Sequence, residues 1–270
     1  MAFETTSNPS REQVEAASAD ELRTYYATKA SINPNLAIAS IPPTISKVHE
    51  GTVAEVGEDL SEMAVSNYQG ILQGFFVGLT KAKRVLEIGT FTGSSAIYFA
   101  TALKRNGVAG GPDANGHKPV VGLDISEKYA QIARNNFAEA GLDDYIEVVV
   151  GSALESLAKL EGQTFDIAFI DADKAGYKAY YDAIIENNLL AKDGLFIIDN
   201  TAFNCVTPYI DIPAPVTDDA EPLNVPFSGH PQRKQVGKVL HEFNEYVKAD
   251  PRTEVVMLPL FTGITLARFV

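Results

Sequence analysis

Two acids and an amide stand where apolar runs stop. Residues 165–170 read FDIAFI and are followed at once by Asp171, within the longer stretch FDIAFIDADKAGYKAYY. Residues 195–200 read LFIIDN and close on Asp199 and Asn200. Apolar runs of this length, without alternation, read as strands buried on both faces, the habit of parallel sheets. In open parallel sheets, ligands gather beyond the carboxyl ends of the strands. Asp171, Asp199 and Asn200 are therefore expected at one mouth. Three oxygen donors, two of them anionic, suit a hard cation such as Mg²⁺, or another divalent ion such as Mn²⁺ or Ca²⁺. Acids and amides at such places also serve as helix caps and turn formers. Their grouping at two strand ends, with Lys174 three residues beyond Asp171, points instead to chemistry.

A second constellation lies upstream. The run VLEIGTFTGSS over 85–95 is a strand, a glycine turn and a helix start. Gly89 permits a sharp turn and close approach of a ligand to the backbone. Gly89 and Gly93 lack the intermediate glycine of the dinucleotide fingerprint G-x-G-x-x-G, which argues against a nicotinamide-dependent oxidoreductase. Glu87, just before the turn, would repel a pyrophosphate and suits a ligand that carries positive charge. Asp124, at the end of the next strand, can accept hydrogen bonds from a ribose diol. A nucleoside with a cationic tail and no phosphates describes S-adenosylmethionine. The plainer alternative is that both glycines serve only turn and packing.

These residues need a frame to hold them. Strands are expected at 84–88, 119–124, 146–150, 165–170 and 195–198, alternating with helices at 94–104, 127–140, 154–160 and 177–189. That alternation requires a parallel sheet with helices on both faces. Residues 253–260 and 264–270 flank Phe261-Thr262-Gly263 and read as a hairpin, which brings the sheet to seven strands. Further helices are expected at 10–30, 44–56, 61–79 and 232–249. Residues 106–118 hold four glycines and read as an exposed loop. Residues 205–229 hold five prolines, and loops of that length are usually lids or irregular segments. The chain divides into an N-terminal helical extension, 1–60, and one large α/β domain, 61–270.

Composition narrows the partners. Net charge is −13, from 22 basic and 35 acidic residues. That argues against nucleic acid as the main partner, since phosphate binding relies on clustered Lys and Arg, and without a local basic patch it disfavours a highly anionic substrate. The single cysteine, Cys205, rules out an intrachain disulfide and a cysteine-rich zinc site. The first residues lack the apolar core of a secretory signal, and no apolar run reaches the length of a membrane span. A cytoplasmic protein without membrane or nucleic-acid partners is expected.

From about Ser61 onward the chain resembles the cation-dependent class I O-methyltransferases. It is most like the caffeoyl-coenzyme A O-methyltransferase group, and more distantly like catechol O-methyltransferase. The likeness rests on VLEIGTFTGSSAIYFATAL, GLDISEKYAQIARNNF, FDIAFIDADKAGYKAYY, GLFIIDNTAFN and DPRTEVVMLPLFTGITLARFV. IDADK and the paired DN are the specific parts. The resemblance implies a Rossmann-like methyltransferase fold, a seven-stranded, mostly parallel sheet with a C-terminal antiparallel hairpin. It implies Asp171, Asp199 and Asn200 as metal ligands and Lys174 as general base. It implies Val65, Glu87, Gly89, Ser95, Asp124, Ala153 and Asp173 as contacts of S-adenosylmethionine, and a homodimer. The implied reaction is methylation of a small phenol with vicinal oxygens. The alternatives are methylation at nitrogen or carboxylate, a coenzyme A thioester acceptor, and a relative that binds the cofactor without turnover. The chain departs from the family at 66–71, where SNYQGI replaces S-A-D-E-G-Q or a near variant, and at Thr262, where plant members carry an acid. The loops at 106–118 and 205–229 are longer, and the first 60 residues match poorly. These are the regions that build acceptor pockets and dimer faces.

Overall fold

Residues 42, 44–61, 63–202 and 231–270 are described by the computed structural model. The expected helix at 10–30 and the proline-rich loop at 205–229, with Cys205, lie outside them.

The apolar runs become β1 (Val85–Ile88), β2 (Val120–Asp124), β3 (Ile146–Val150), β4 (Phe165–Ile170) and β5 (Leu190–Asp199). The last two strands, β6 (Thr253–Leu258) and β7 (Ile264–Phe269), form the hairpin. Their order across the seven-stranded sheet is β3-β2-β1-β4-β5-β7-β6. Strands β1 to β5 run parallel, and β7 is antiparallel to both β5 and β6. The expected fold class is met.

Every residue of β1 is buried, because both faces of the sheet are covered. Leu86 and Ile88 point into a core shared with α6 (Ala153–Lys159), α7 (Tyr177–Glu186) and α8 (Pro231–Ala249). Val85 points to the opposite core, shared with α1 (Ile45–Val56), α3 (Asn67–Leu79), α4 (Ser94–Arg105) and α5 (Glu127–Glu139). Fully burying one large apolar side chain contributes roughly 1.5–3 kcal/mol, so the two layers hold the strand tips in fixed register. Ile45 and Val48 of α1 are fully buried in the second core, so this helix shares its packing with the sheet.

Three boundaries differ from expectation by more than two residues. The helix expected from 61 starts at Asn67, where the Ser66 hydroxyl caps it by accepting the Gln69 amide at 3.3 Å. A short helix, α2 (Glu58–Ser61), stands before it. Strand β5 begins at Leu190 rather than 195, with a register shift against β4. Exposed Lys192 and Asp193 interrupt its apolar run and hide its first half from a hydrophobicity reading. Helix α7 stops at Glu186, and Asn188 beyond it takes a left-handed φ of 55°. No helix among the described residues is long and apolar enough to cross a membrane.

Candidate active site

The strand order reverses between β1 and β4, and the loops leaving their carboxyl ends meet there. The Gly89 amide donates to the Leu123 carbonyl at 2.8 Å, and the Asp171 amide donates to the Ile88 carbonyl at 2.9 Å. Gly89 has φ +94°, and a Cβ on it would sit 1.9 Å from the Asp171 carbonyl oxygen. Only glycine allows the two loops to pass so closely. Downstream, the Phe91 amide donates to Asp124 Oδ2 at 2.7 Å, and the Ser126 amide donates to Oδ1 at 2.8 Å. Asp124 thus ties the glycine turn to the start of α5.

Glu87 lies under this turn, fully buried. Ser95 Oγ donates to its Oε1 at 2.5 Å, while Oε2 has no hydrogen-bond partner among the described residues. The Thr90 hydroxyl faces the same carboxyl without completing a hydrogen bond. Burial pushes the Glu87 carboxyl up to about 8; Ser95 and Thr90 oppose the rise, and the charges of Asp171 and Asp124 add to it. A buried acid with one oxygen unanswered is a seat for a cationic group. In the unfolded chain the same carboxyl ionises at the ordinary 4.5. Between those values the native protein holds a proton that the unfolded chain has released, so stability falls as pH rises from 4.5 to about 8. Glu87→Gln is expected to flatten this part of a urea-stability profile of the ligand-free protein. A profile identical to that of the wild type would mean that Glu87 is already ionised at low pH.

Ile170 pairs with Ile198, so Asp171 and Asp199 leave neighbouring strand tips. Lys174 Nζ donates to Asp171 Oδ1 at 2.9 Å and to the Tyr177 hydroxyl at 2.7 Å. The Tyr177 hydroxyl in turn donates to the Asp199 carbonyl at 3.1 Å. The Asp199 carboxyl is buried and takes two donors: Gln69 Nε2 on Oδ2 at 2.6 Å, and the Asn200 amide on Oδ1 at 2.7 Å. Burial and then the charge of Asp171 push it up to about 7, against the pull of Gln69, the Asn200 amide and Lys174. Asn200 has a left-handed φ of 60°, and its Nδ2 donates to Thr262 Oγ1 at 2.6 Å. Its Oδ1 has no donor among the described residues. No three His, Cys, Asp or Glu side chains among the described residues form a metal cluster. The set here is two carboxylates and an amide oxygen. A buried acid whose ionisation is made costlier by a second carboxylate, beside an unanswered carbonyl oxygen, fits a hard cation.

The family is decided by a match along most of the chain. The family profile described as O-methyltransferase covers residues 38–270. The chain belongs to this family. It is 30% identical over 229 residues to a caffeoyl-CoA O-methyltransferase of Populus kitakamiensis, covering 83% of this chain and 85% of that one. It is 39% identical over 142 residues to a catechol O-methyltransferase of Mycobacterium tuberculosis, covering 53% and 59%. Among solved structures it is similar to an SAH-bound methyltransferase of Podospora anserina, at TM-score 0.73 and 26% identity over 98% of this chain and 99% of that one.

In this O-methyltransferase the remaining candidates fall as follows. Asp173 accepts from the Gly176 amide at 2.9 Å and from the Tyr180 hydroxyl at 2.5 Å, capping the 3-10 turn Lys174–Gly176. Ala153 opens α6 just after β3. Val65 is buried beside the start of α3, four residues before Gln69. Sequence reasoning left out Gln69 and Tyr177, which hold Asp199 and Lys174. The Lys174–Tyr177 spacing of three was a usable signal, since residues so spaced share a helix face. Gln69 lies 130 positions from its partner, and nothing local announces it. Sequence reasoning also left out the contacts by which α1 grips the glycine turn. His49 Nε2 lies 3.0 Å from Ser94 Oγ, and Thr52 Oγ1 donates to Thr92 Oγ1 at 2.9 Å.

Proposed function

We propose that this O-methyltransferase moves the sulfonium methyl of S-adenosylmethionine to one oxygen of a small phenol bearing two adjacent oxygens, with a divalent cation held by Asp171, Asp199 and Asn200. The observation that carries the reading is the meeting of two strand tips: a buried Asp199 beside Asp171, with Lys174 Nζ 2.9 Å from the latter. The names of the catechol and caffeoyl-CoA relatives support the acceptor class, and the SAH-bound neighbour supports the donor.

Glu87, with its unanswered oxygen, takes the cationic end of the donor, and Ser95 holds its other oxygen in place. Asp124 takes the ribose hydroxyls, and Gly89 lets the donor lie against the backbone. Val65, Ala153 and Asp173 complete the donor's surroundings. A bound cation supplies Lewis acidity that favours the ionised form of a chelating acceptor. Lys174 receives the phenol's proton as the neutral amine, the form that the charge of a bound cation nearby would favour; free lysine and free phenol both have pKa values of about 10, so transfer to that amine is close to balanced. The acceptor oxygen then forms its bond to the methyl carbon as the carbon–sulfur bond breaks, leaving S-adenosylhomocysteine. Holding the two reactants in line contributes much of the rate.

Lys174→Ala is expected to lower turnover by about 10²–10⁴-fold, the range for loss of a positioned base. Calorimetry should find S-adenosylhomocysteine binding unchanged. Wild-type turnover in that variant would remove Lys174 from the reaction. The acceptor class is tested by labelled S-adenosylmethionine and Mg²⁺ with a panel of catechols, single phenols, carboxylates, amines and coenzyme A thioesters. Label should enter catechols; label only in thioesters, amines or carboxylates would overturn this acceptor. The charge of −13 weighs against the thioesters. The same reading takes the protein as a cytoplasmic homodimer with no nucleic-acid or membrane partner.

A further inference from the structure

The acid that the reading above places at the centre of the cation site is steered from outside the sheet. Asp199 Oδ1 is held by the next residue's own amide, at 2.7 Å, and this bond comes with the turn after β5. Oδ2 is held by a side chain from α3, Gln69 Nε2 at 2.6 Å. With one donor on each oxygen, rotation of the carboxylate about its Cβ–Cγ bond is blocked, and the remaining lone pairs are aimed. Gln69 is itself fixed: it is 5% exposed, and its backbone amide donates to the Ser66 hydroxyl that caps α3. Its amide carries no charge, so it aims the anion without neutralising it. A glutamate at position 69, the residue that the related pattern S-A-D-E-G-Q carries, would set an acid against Asp199 and could donate only when protonated.

We propose that Gln69 is a positioning residue that sets the orientation of Asp199 and through it the affinity of the site for a divalent cation. The inference rests on the cation-dependent reading of the site. Partners of metal-ligating side chains typically carry about 10- to 100-fold in metal affinity.

The test is calorimetric titration of Mn²⁺ into the chelator-stripped protein, with no donor or acceptor present. Gln69→Met keeps the length and removes the hydrogen bond. It is expected to weaken Mn²⁺ binding by about 10- to 100-fold, while S-adenosylhomocysteine binds as in the wild type. Gln73 is the control: it lies one turn further along α3, fully buried, and neither of its amide atoms has a partner among the described residues. Gln73→Met should leave Mn²⁺ affinity unchanged. If Gln69→Met fails to fold, Gln69→Asn replaces it, since the shorter arm keeps the amide but cannot reach Asp199, and the same loss is expected. A folded Gln69 variant that binds Mn²⁺ as tightly as the wild type overturns the inference and leaves the cation site standing. Equal weakening by Gln73→Met also overturns it, since the effect would then belong to α3 packing. A wild-type protein that binds no Mn²⁺ overturns the cation-dependent reading itself.

Discussion

Asp199→Ala is expected to lower methyl transfer at least about a thousandfold, since Lewis-acid stabilisation is worth several kcal/mol and each 1.36 kcal/mol is a tenfold change in rate. The protein should not unfold in consequence. Asp199 is buried beside Asp171, and its carboxyl is pushed up to about 7, mainly by burial. Removing it relieves a costly buried acid but leaves Gln69 Nε2 and the Asn200 amide without their acceptor, so the metal-free variant should melt near the wild-type temperature. Activity lost with stability kept is the pattern of a site residue held at some cost to the fold. Turnover assays and thermal melts of the chelated proteins, run together, check both halves. Wild-type turnover would remove Asp199 from the chemistry. A large drop in melting temperature would make its role structural.

Gly89→Ala is expected to do the reverse and damage the fold first. The new Cβ would lie 1.9 Å from the Asp171 carbonyl oxygen and 2.7 Å from its carbon. These are backbone atoms tied by the 2.9 Å bond to Ile88, and they cannot swing aside as a side chain would. The left-handed φ adds about 1–3 kcal/mol of strain by itself. The total should reach about 3 kcal/mol or more, a fall of roughly 6 °C or more in melting temperature for a chain of this size. Gly107→Ala separates the two causes. It has φ +82° and nothing within 4 Å of its Cβ position, so only strain remains. Equal destabilisation by the two substitutions would mean that the contact between the β1 and β4 loops is not tight. Donor binding should also fail in Gly89→Ala, because the displaced Asp171 loop and the glycine turn share one wall.

The inner strands of the sheet were legible because they are buried on both faces. FDIAFI and LFII have no polar residue to hide the run except Asp166, which accepts the Lys83 and Arg84 amides at 2.7 and 2.9 Å at the strand's start. The placement of Asp171, Asp199 and Asn200 at neighbouring strand tips was legible for the same reason, since an acid at the end of an apolar run has nowhere to go but the mouth. The first half of β5 was not legible, because exposed Lys192 and Asp193 break the run although the backbone still pairs. The supports of the site were harder to see. Gln69 meets Asp199, and Thr262 meets Asn200, only through tertiary packing of α3 and the hairpin against β5. Both positions stood out in sequence as departures from a family pattern, but their partners could be assigned only from the fold. Tyr177 was masked differently. In AGYKAYY it stands among other tyrosines, and it is core by burial, yet its hydroxyl bridges Lys174 and the Asp199 carbonyl.

The most direct measurement is methyl transfer from S-adenosylmethionine to a simple catechol by protein stripped of metal, followed through a titration with Mg²⁺. The proposed grip of two strand-tip carboxylates on a cation predicts no product under chelator and a saturable return of turnover as Mg²⁺ is added. Full turnover in the presence of chelator would contradict that account.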